Sequence, residues 1–250
     1  MLNPSPQVST MHIKHEEVRS RISFLRYDNN MITTQKELEE MIQKIGFLPL
    51  FKNAVRGLSV EEMCDPAYWF TNQEGPWEWK GKIAVSGTCA YGKFFRRSAG
   101  FVSLDWWPDF VNYRRDGYDF DSRCDEGLVP YPDMTLYNMV QKRKAVTTPD
   151  LKALCGYGGK DGFKGFETIM TRLQMQTYVI IRSFPYAMDK HGKEYGWGIT
   201  QYTIPELHLG KSLTRSAYRR DPDKSFDKMV KHLLTVWQEA SEKDVRKLLK

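Results

Sequence analysis

Between Met134 and Pro205 the hydrophobic spacing changes period, and few folds accommodate that change. "DMTLYNMVQKRKA" carries Leu136, Met139 and Val140 on one helical face. "TTPDLKALCGY" opens on Thr148 as N-cap, with Pro149 at the first helical position, and stops at Gly156. "GGKDGFKGFETIMTRLQM" then sets Phe166, Ile169, Met170 and Leu173 at helical spacing. After the triplet Gln174-Met175-Gln176 the chain becomes β-branched and aromatic in "TYVIIRSF", turns at "MDKHGKE", and returns as a second strand in "YGWGITQYTI".

Three short helices followed by a hairpin is the order of a winged helix-turn-helix. In that arrangement the third helix can enter a major groove while the hairpin tip rides on phosphate. The third helix and the loop before it offer Lys160, Lys164, Thr168, Thr171 and Arg172, and the tip offers Lys190, His191 and Lys193. A similar unit also serves as a protein-interaction module, so a protein partner stays open beside double-stranded DNA.

Charge makes nucleic acid a candidate, beside the alternative of a solvated basic face. The net charge of +6 is uneven: residues 1–133 carry 16 Lys/Arg against 19 Asp/Glu, and residues 134–250 carry 21 against 12. Basic residues gathered in one half suit a polyanion, because each phosphate contact releases condensed counterions. The densest run, Lys211, Arg215, Arg219 and Arg220, precedes an apolar stripe of Phe226, Met229, Val230, Leu233, Leu234 and Trp237, which reads as one or two amphipathic helices.

The expected organisation is α+β. Residues 1–32 form an N-terminal arm, 33–133 an aromatic-rich α+β region, 134–205 the winged helix-turn-helix, and 206–250 basic C-terminal helices. Thr34 and Glu37 have capping-box spacing ahead of Leu38, Met41, Ile42 and Ile45, and Ser59 with Glu62 suggests a second start. Pro130, Pro132 and Asp133 mark the junction.

Other constellations point away from chemistry. Cys64, Cys89, Cys124 and Cys155 stand far apart without metal-site spacing and read as reduced core thiols of a cytoplasmic protein. No basic leader precedes an apolar run, and no stretch is long enough to span a membrane. "GTCAYGKF" approaches a phosphate loop but has Phe94 where Ser or Thr is needed, so no nucleotide cofactor is expected; Lys93, Arg96 and Arg97 remain candidate phosphate contacts. Asp116, Asp119, Asp121, Asp125 and Glu126 lie among Arg114, Arg115 and Arg123, as in a loop tied by ion pairs; no metal is expected. Trp77 and Trp79 have same-face spacing in an extended segment, and with Trp69, Trp106 and Trp107 they read as core. The five histidines form no triad.

The segment ending "RLQMQ" before "YVI" resembles a winged-helix unit of the AlkZ/YcaQ-type DNA glycosylases. "GPWEWKGKIA", "AYGKFF", "RRDGYDFD" and "YGWGITQY" resemble a set of bacterial AlkZ-related proteins. Those enzymes use a Gln-x-Gln or Gln-x-Asp pair early in the chain; Gln174 and Gln176 match it by type and spacing, late in this one. The resemblance implies DNA binding directed to damage, and in its enzymatic form the hydrolytic excision of alkylated purines without a cofactor. In an extended segment both amides would share a face and could orient one water. An N7-alkylated guanine already carries positive charge, so it departs without prior protonation and asks only for positioning and charge stabilisation. The bland reading is a polar junction between helix and strand.

Overall fold

The computed structural model describes residues 31–71 and 74–250, and residues 32–250 pack as one compact unit. The expected N-terminal arm lies outside the described residues.

Local signals set the first elements. Thr34 caps α1 (Gln35–Ile45) through the reciprocal box with Glu37, whose carboxylate accepts from the Thr34 N–H at 3.0 Å. Leu38, Ile42 and Ile45 turn inward, and Gly46 ends the helix at φ +84°, where a Cβ would also strike the Trp106 ring at 2.5 Å. β1 (Phe47–Pro49) follows directly. Ser59 caps α2 (Val60–Met63), with its hydroxyl 2.6 Å from Glu62, but that helix lasts only one turn. α3 (Pro76–Ser86) starts at Gly75 with Pro76 in its first turn. The extended reading of Trp77 and Trp79 is therefore corrected: both are helical, Trp79 is buried, and Trp77 is only half-buried.

β2 (Cys89–Phe95) and β3 (Ser98–Ser103) form a tight hairpin, and the antiparallel sheet runs β1-β3-β2, with Phe47 opposite Val102 and Tyr91 opposite Phe101. α4 (Trp107–Arg115) buries Trp107, Phe110 and Val111 completely. Asp119, read from sequence as part of a loop, caps a short helix, α5 (Phe120–Asp125), accepting from Ser122 N at 2.8 Å.

The segment from Pro130 opens α6 (Tyr131–Arg143). β4 (Val146–Thr147), α7 (Thr148–Leu154), α8 (Phe166–Met175), β5 (Ile180–Ser183) and a small hairpin of β6 (Ala187–Met188) with β7 (Glu194–Tyr195) follow, then β8 (Gln201–Thr203). The three strands β4-β8-β5 make a second antiparallel sheet. The cap of α7 falls one residue earlier than its sequence suggests, on Thr147, which accepts from Asp150 N. The single return strand expected over "YGWGITQYTI" is split, because Gly196 takes φ +76° and Gly198 lies where any Cβ would meet Phe184 at 2.9 Å.

The C-terminal part holds α9 (Pro205–His208), α10 (Lys211–Arg215), α11 (Pro222–Val236) and α12 (Glu242–Leu249). α11 buries Phe226, Met229, Val230 and Leu233 and packs against α4. Asp109, buried on α4, accepts from Lys228 at 2.6 Å and Ser225 at 2.9 Å, and pairs with Arg220 at 2.6 Å. Among the described residues no helix is long and apolar enough to cross a membrane.

Cys64 and Cys89 are buried, and burial pushes both thiols up to about 12. A maleimide at neutral pH should therefore label half-buried Cys124 first and leave Cys64 and Cys89 unreacted until denaturant is added. Early modification of either buried thiol, mapped by mass spectrometry, would contradict this packing.

Candidate nucleic-acid interface

α8 begins after Gly165 (φ +88°) and buries Phe166, Ile169, Met170, Leu173 and Gln174, leaving Glu167 and Thr168 exposed. Its end is unusual. Gln176 is the C-cap, and Thr177 follows at φ +61°, a left-handed conformation that a β-branched residue adopts only under constraint. The constraint is Arg115. Its Nε donates to Thr177 Oγ1 at 3.2 Å and its Nη2 to the Thr177 carbonyl at 2.8 Å. Arg115 is itself fully buried, and Nη1 donates to Glu206 at 2.9 Å and to the Tyr218 hydroxyl.

That turn separates the two glutamines. They do not lie in an extended segment and do not share a face. Gln174 is 1% exposed; its Oε1 accepts from the Lys93 N–H at 3.0 Å and its Nε2 donates to the Met170 carbonyl at 3.0 Å. The Lys93 N–H is available because β2 slips register against β3 between Gly92 and Phe95. Gln174 thus fastens α8 to a bulge in β2. Gln176 is half-buried and lines a cleft of about 530 Å³.

Thr168, Thr171 and Gln176 form one wall of that cleft, and Lys93, Arg97 and Arg114 the other. Arg97 and its neighbour Arg96 are the two central residues of the β2–β3 hairpin, at φ +72° and +50°. A two-residue turn with both centres left-handed ordinarily takes Asn-Gly, so this hairpin holds two exposed arginines in a strained conformation. Arg114 reaches the Phe94 carbonyl at 2.6 Å and the Lys250 carbonyl at 2.7 Å, and burial pushes its guanidinium down to about 10. Lys93 Nζ lies 3.4 Å from Thr171 Oγ1. Arg172 is already committed: it pairs with buried Asp133, its Nε at 2.7 Å, and the Asp133 hydrogen bond raises its pKa.

The remaining basic residues are dispersed. Lys160 and Lys164 are exposed in the loop before α8, and Lys190 and Lys193 are exposed at the β6–β7 tip, where Asp189 accepts from the His191 and Lys193 N–H groups. Lys211 and Arg215 line a different cavity, of about 410 Å³, shared with Asp119 and Asp121. Arg219 is exposed, while Arg220 is held by Asp109. Of the residues picked from sequence for phosphate contact, Lys93, Arg97, Thr168, Thr171 and Arg172 meet at the cleft. Arg114 was missed there because the Asp-rich stretch beside it suggested local ion pairing. A second cleft, of about 900 Å³, lies on the other side of Lys93 and is lined by Trp77, Lys80, Tyr91 and Phe184.

A mixed helix-and-strand chain with a basic cleft, lined by Lys93, Arg97 and Arg114 with Glu167 on the side of α8, is the class that this geometry defines. The chain belongs to the AlkZ-related family, whose model, described as "AlkZ related", matches residues 32–250. Among solved structures, the Streptomyces sahachiroi DNA glycosylase AlkZ is similar at a TM-score of 0.46 and 10% identity, over 88% of this chain and 60% of that one. This chain thus spans less than two thirds of that enzyme. No curated protein matches it.

Proposed function

We propose that the chain is a DNA-binding protein of winged-helix type directed to damaged duplexes, with the cleft between α8 and the Arg96–Arg97 turn seated on the phosphate backbone. The observation that carries this reading is the strained arginine turn. Holding two non-glycine residues left-handed costs about 1–2 kcal/mol each, and strain of this kind persists at sites where function needs the side chain. Both arginines are exposed, and across the cleft from Arg97 the side chains of Thr168 and Thr171 offer hydroxyl donors.

The order α6, β4, α7, α8, β5, β8 supports the winged-helix assignment, with α8 as third helix and β6–β7 as an extension of the wing. In the excision reading, Gln176 is the member of the pair that faces bound DNA, and Gln174 builds the wall behind it. A protein-interaction role is favoured by one observation: Tyr186, Met188, Tyr195 and Trp197 are all exposed on and beside the β6–β7 hairpin.

The deciding experiment is fluorescence anisotropy on short duplexes, plain and N7-methylguanine-containing, across a salt series. Salt-sensitive binding with preference for the alkylated duplex is expected. In an Arg96→Asn/Arg97→Gly variant the affinity should fall and the log–log salt slope should become shallower by about 1 per lost phosphate contact, while the urea midpoint rises because the turn relaxes. If neither duplex binds at low salt, DNA is the wrong partner and the hairpin aromatics become the surface to test.

A further inference from the structure

The larger cleft contains a lysine that the DNA-binding reading does not use. Lys80 sits on α3 and is 5% exposed. Its Nζ lies 3.5 Å from the centroid of the Trp77 ring and 4.7 Å from that of Phe184, and donates to the Trp77 carbonyl at 2.6 Å. Neighbouring carboxylates are engaged elsewhere: Glu74 pairs with Lys82 at 2.6 Å, and Glu78 accepts from the Gly75 N–H at 2.9 Å. A buried ammonium is costly unless paired, and two ring faces with one carbonyl compensate only part of that cost. Burial accordingly pushes Lys80 down to about 8, against the opposing pull of Glu78.

A plain packing role would be met by Met or Leu without that cost. What a desolvated lysine adds is an amine that gives up its proton more readily than an exposed one, which is how a lysine nucleophile is prepared. The cleft is large enough for a small organic molecule, and the rings beside Nζ suit a flat, unsaturated body.

We propose that Lys80 is an aldehyde-capturing amine, forming an imine with a carbonyl compound seated in the cleft beside Trp77 and Phe184. The Nζ lone pair attacks the carbonyl carbon, and the π pair of the C=O bond takes up a proton to give a carbinolamine. The nitrogen then forms its second bond to carbon as the hydroxyl leaves with a proton as water. The sum is amine plus aldehyde giving imine plus water, with no oxidant or reductant consumed. Two sources present this chemistry: a free small aldehyde, and the ring-opened deoxyribose at an abasic site in DNA. The first requires no DNA binding, so the proposal stands or falls separately from the function proposed above.

The test is reductive trapping of the full chain with sodium cyanoborohydride, in one arm with benzaldehyde and in the other with a duplex containing an abasic site, followed by peptide mapping. At pH 8 the reduced adduct should concentrate on Lys80 in at least one arm. Benzaldehyde alone labelling it assigns a small molecule; the duplex labelling it assigns the deoxyribose. The yield at Lys80 should rise through pH 8, whereas exposed lysines should rise near the ordinary value of 10.5. Of the charged and titratable groups facing the same cleft, Glu74, Lys82, Tyr91, Lys93, Tyr186 and Glu194 should leave that midpoint in place when substituted singly, whereas Glu78→Gln should lower it, because Glu78 opposes the effect of burial. Lys80→Arg and Lys80→Met should both abolish the adduct. If either variant unfolds, the wild-type peptide map still decides. Adducts scattered over exposed lysines in both arms, with Lys80 unmodified, overturn the proposal.

Discussion

An Arg115→Met variant is expected to lose about 3–5 kcal/mol of folding stability, the usual cost of breaking a buried ion pair by removing one partner. Arg115 is fully buried and ties together four separate segments: its own helix α4, the Thr177 turn after α8, Glu206 on α9, and Tyr218 beyond α10. Burial works against its charge, yet Glu206 and Tyr218 outweigh burial and its pKa is raised, so the guanidinium stays charged across any accessible pH. Methionine fills comparable volume but leaves the Thr177 carbonyl without its donor and Glu206 without a counter-charge. Glu206 Oε2 already lacks a partner among the described residues, so the site has little means of compensating. Arg115→Lys should recover little, because one ammonium cannot span Thr177 and Glu206 as the planar fork does. Arg115→Met combined with Glu206→Gln should be more stable than Arg115→Met alone, since the stranded charge is gone. Urea midpoints measure all of this. A single variant within about 1 kcal/mol of wild type would mean that the turn is held by something other than Arg115.

That network also explains what the sequence could and could not disclose. Caps are local, so Thr34 with Glu37 and Ser59 with Glu62 were legible, as was the helical face of Phe166, Ile169, Met170 and Leu173. The conformation of Thr177 was not, because it is imposed by an arginine 62 positions away in the chain. With the turn unseen, Gln174 and Gln176 could be placed in one extended segment. Arg220 was misjudged for the same reason: its partner Asp109 belongs to a helix far upstream, and nothing adjacent to "YRRD" announces it. The charge count misled in a different way. Residues 1–133 are net acidic, yet they supply Lys93, Arg97 and Arg114 to the basic cleft, since a sum over sequence ignores which side chains the sheet and α4 bring together. Arg96 and Arg97 were legible as candidate phosphate contacts, but the hairpin they turn and its strain were not, because sequence identifies residues without their dihedral angles.

The two glutamines, finally, should part company when each is truncated. Gln174→Ala removes both hydrogen bonds of a buried amide and strands the Lys93 N–H at the β2 bulge. A lost bridge, an unsatisfied buried donor and the cavity left behind together cost about 2–4 kcal/mol. Gln176→Ala touches a half-exposed cap with no side-chain partner to strand, and should stay within about 0.5 kcal/mol of wild type. The order reverses in binding. Gln176 lines the cleft, so its loss should weaken the alkylated duplex in anisotropy, whereas Gln174→Ala should bind normally under conditions where it remains folded. Gln174→Met separates volume from hydrogen bonding: if filling the cavity restores most of the stability, packing dominates, and if it does not, the bridge to Lys93 dominates. A paired catalytic role demands the opposite pattern, in which both alanine variants keep their urea midpoints and both abolish base release from an N7-methylguanine duplex. That outcome would require Gln174 to abandon Lys93 and Met170 when DNA binds, with α8 unwinding by its last turn. The Arg115 clamp on Thr177 opposes such unwinding directly, which makes a stability difference between the two variants the expected result.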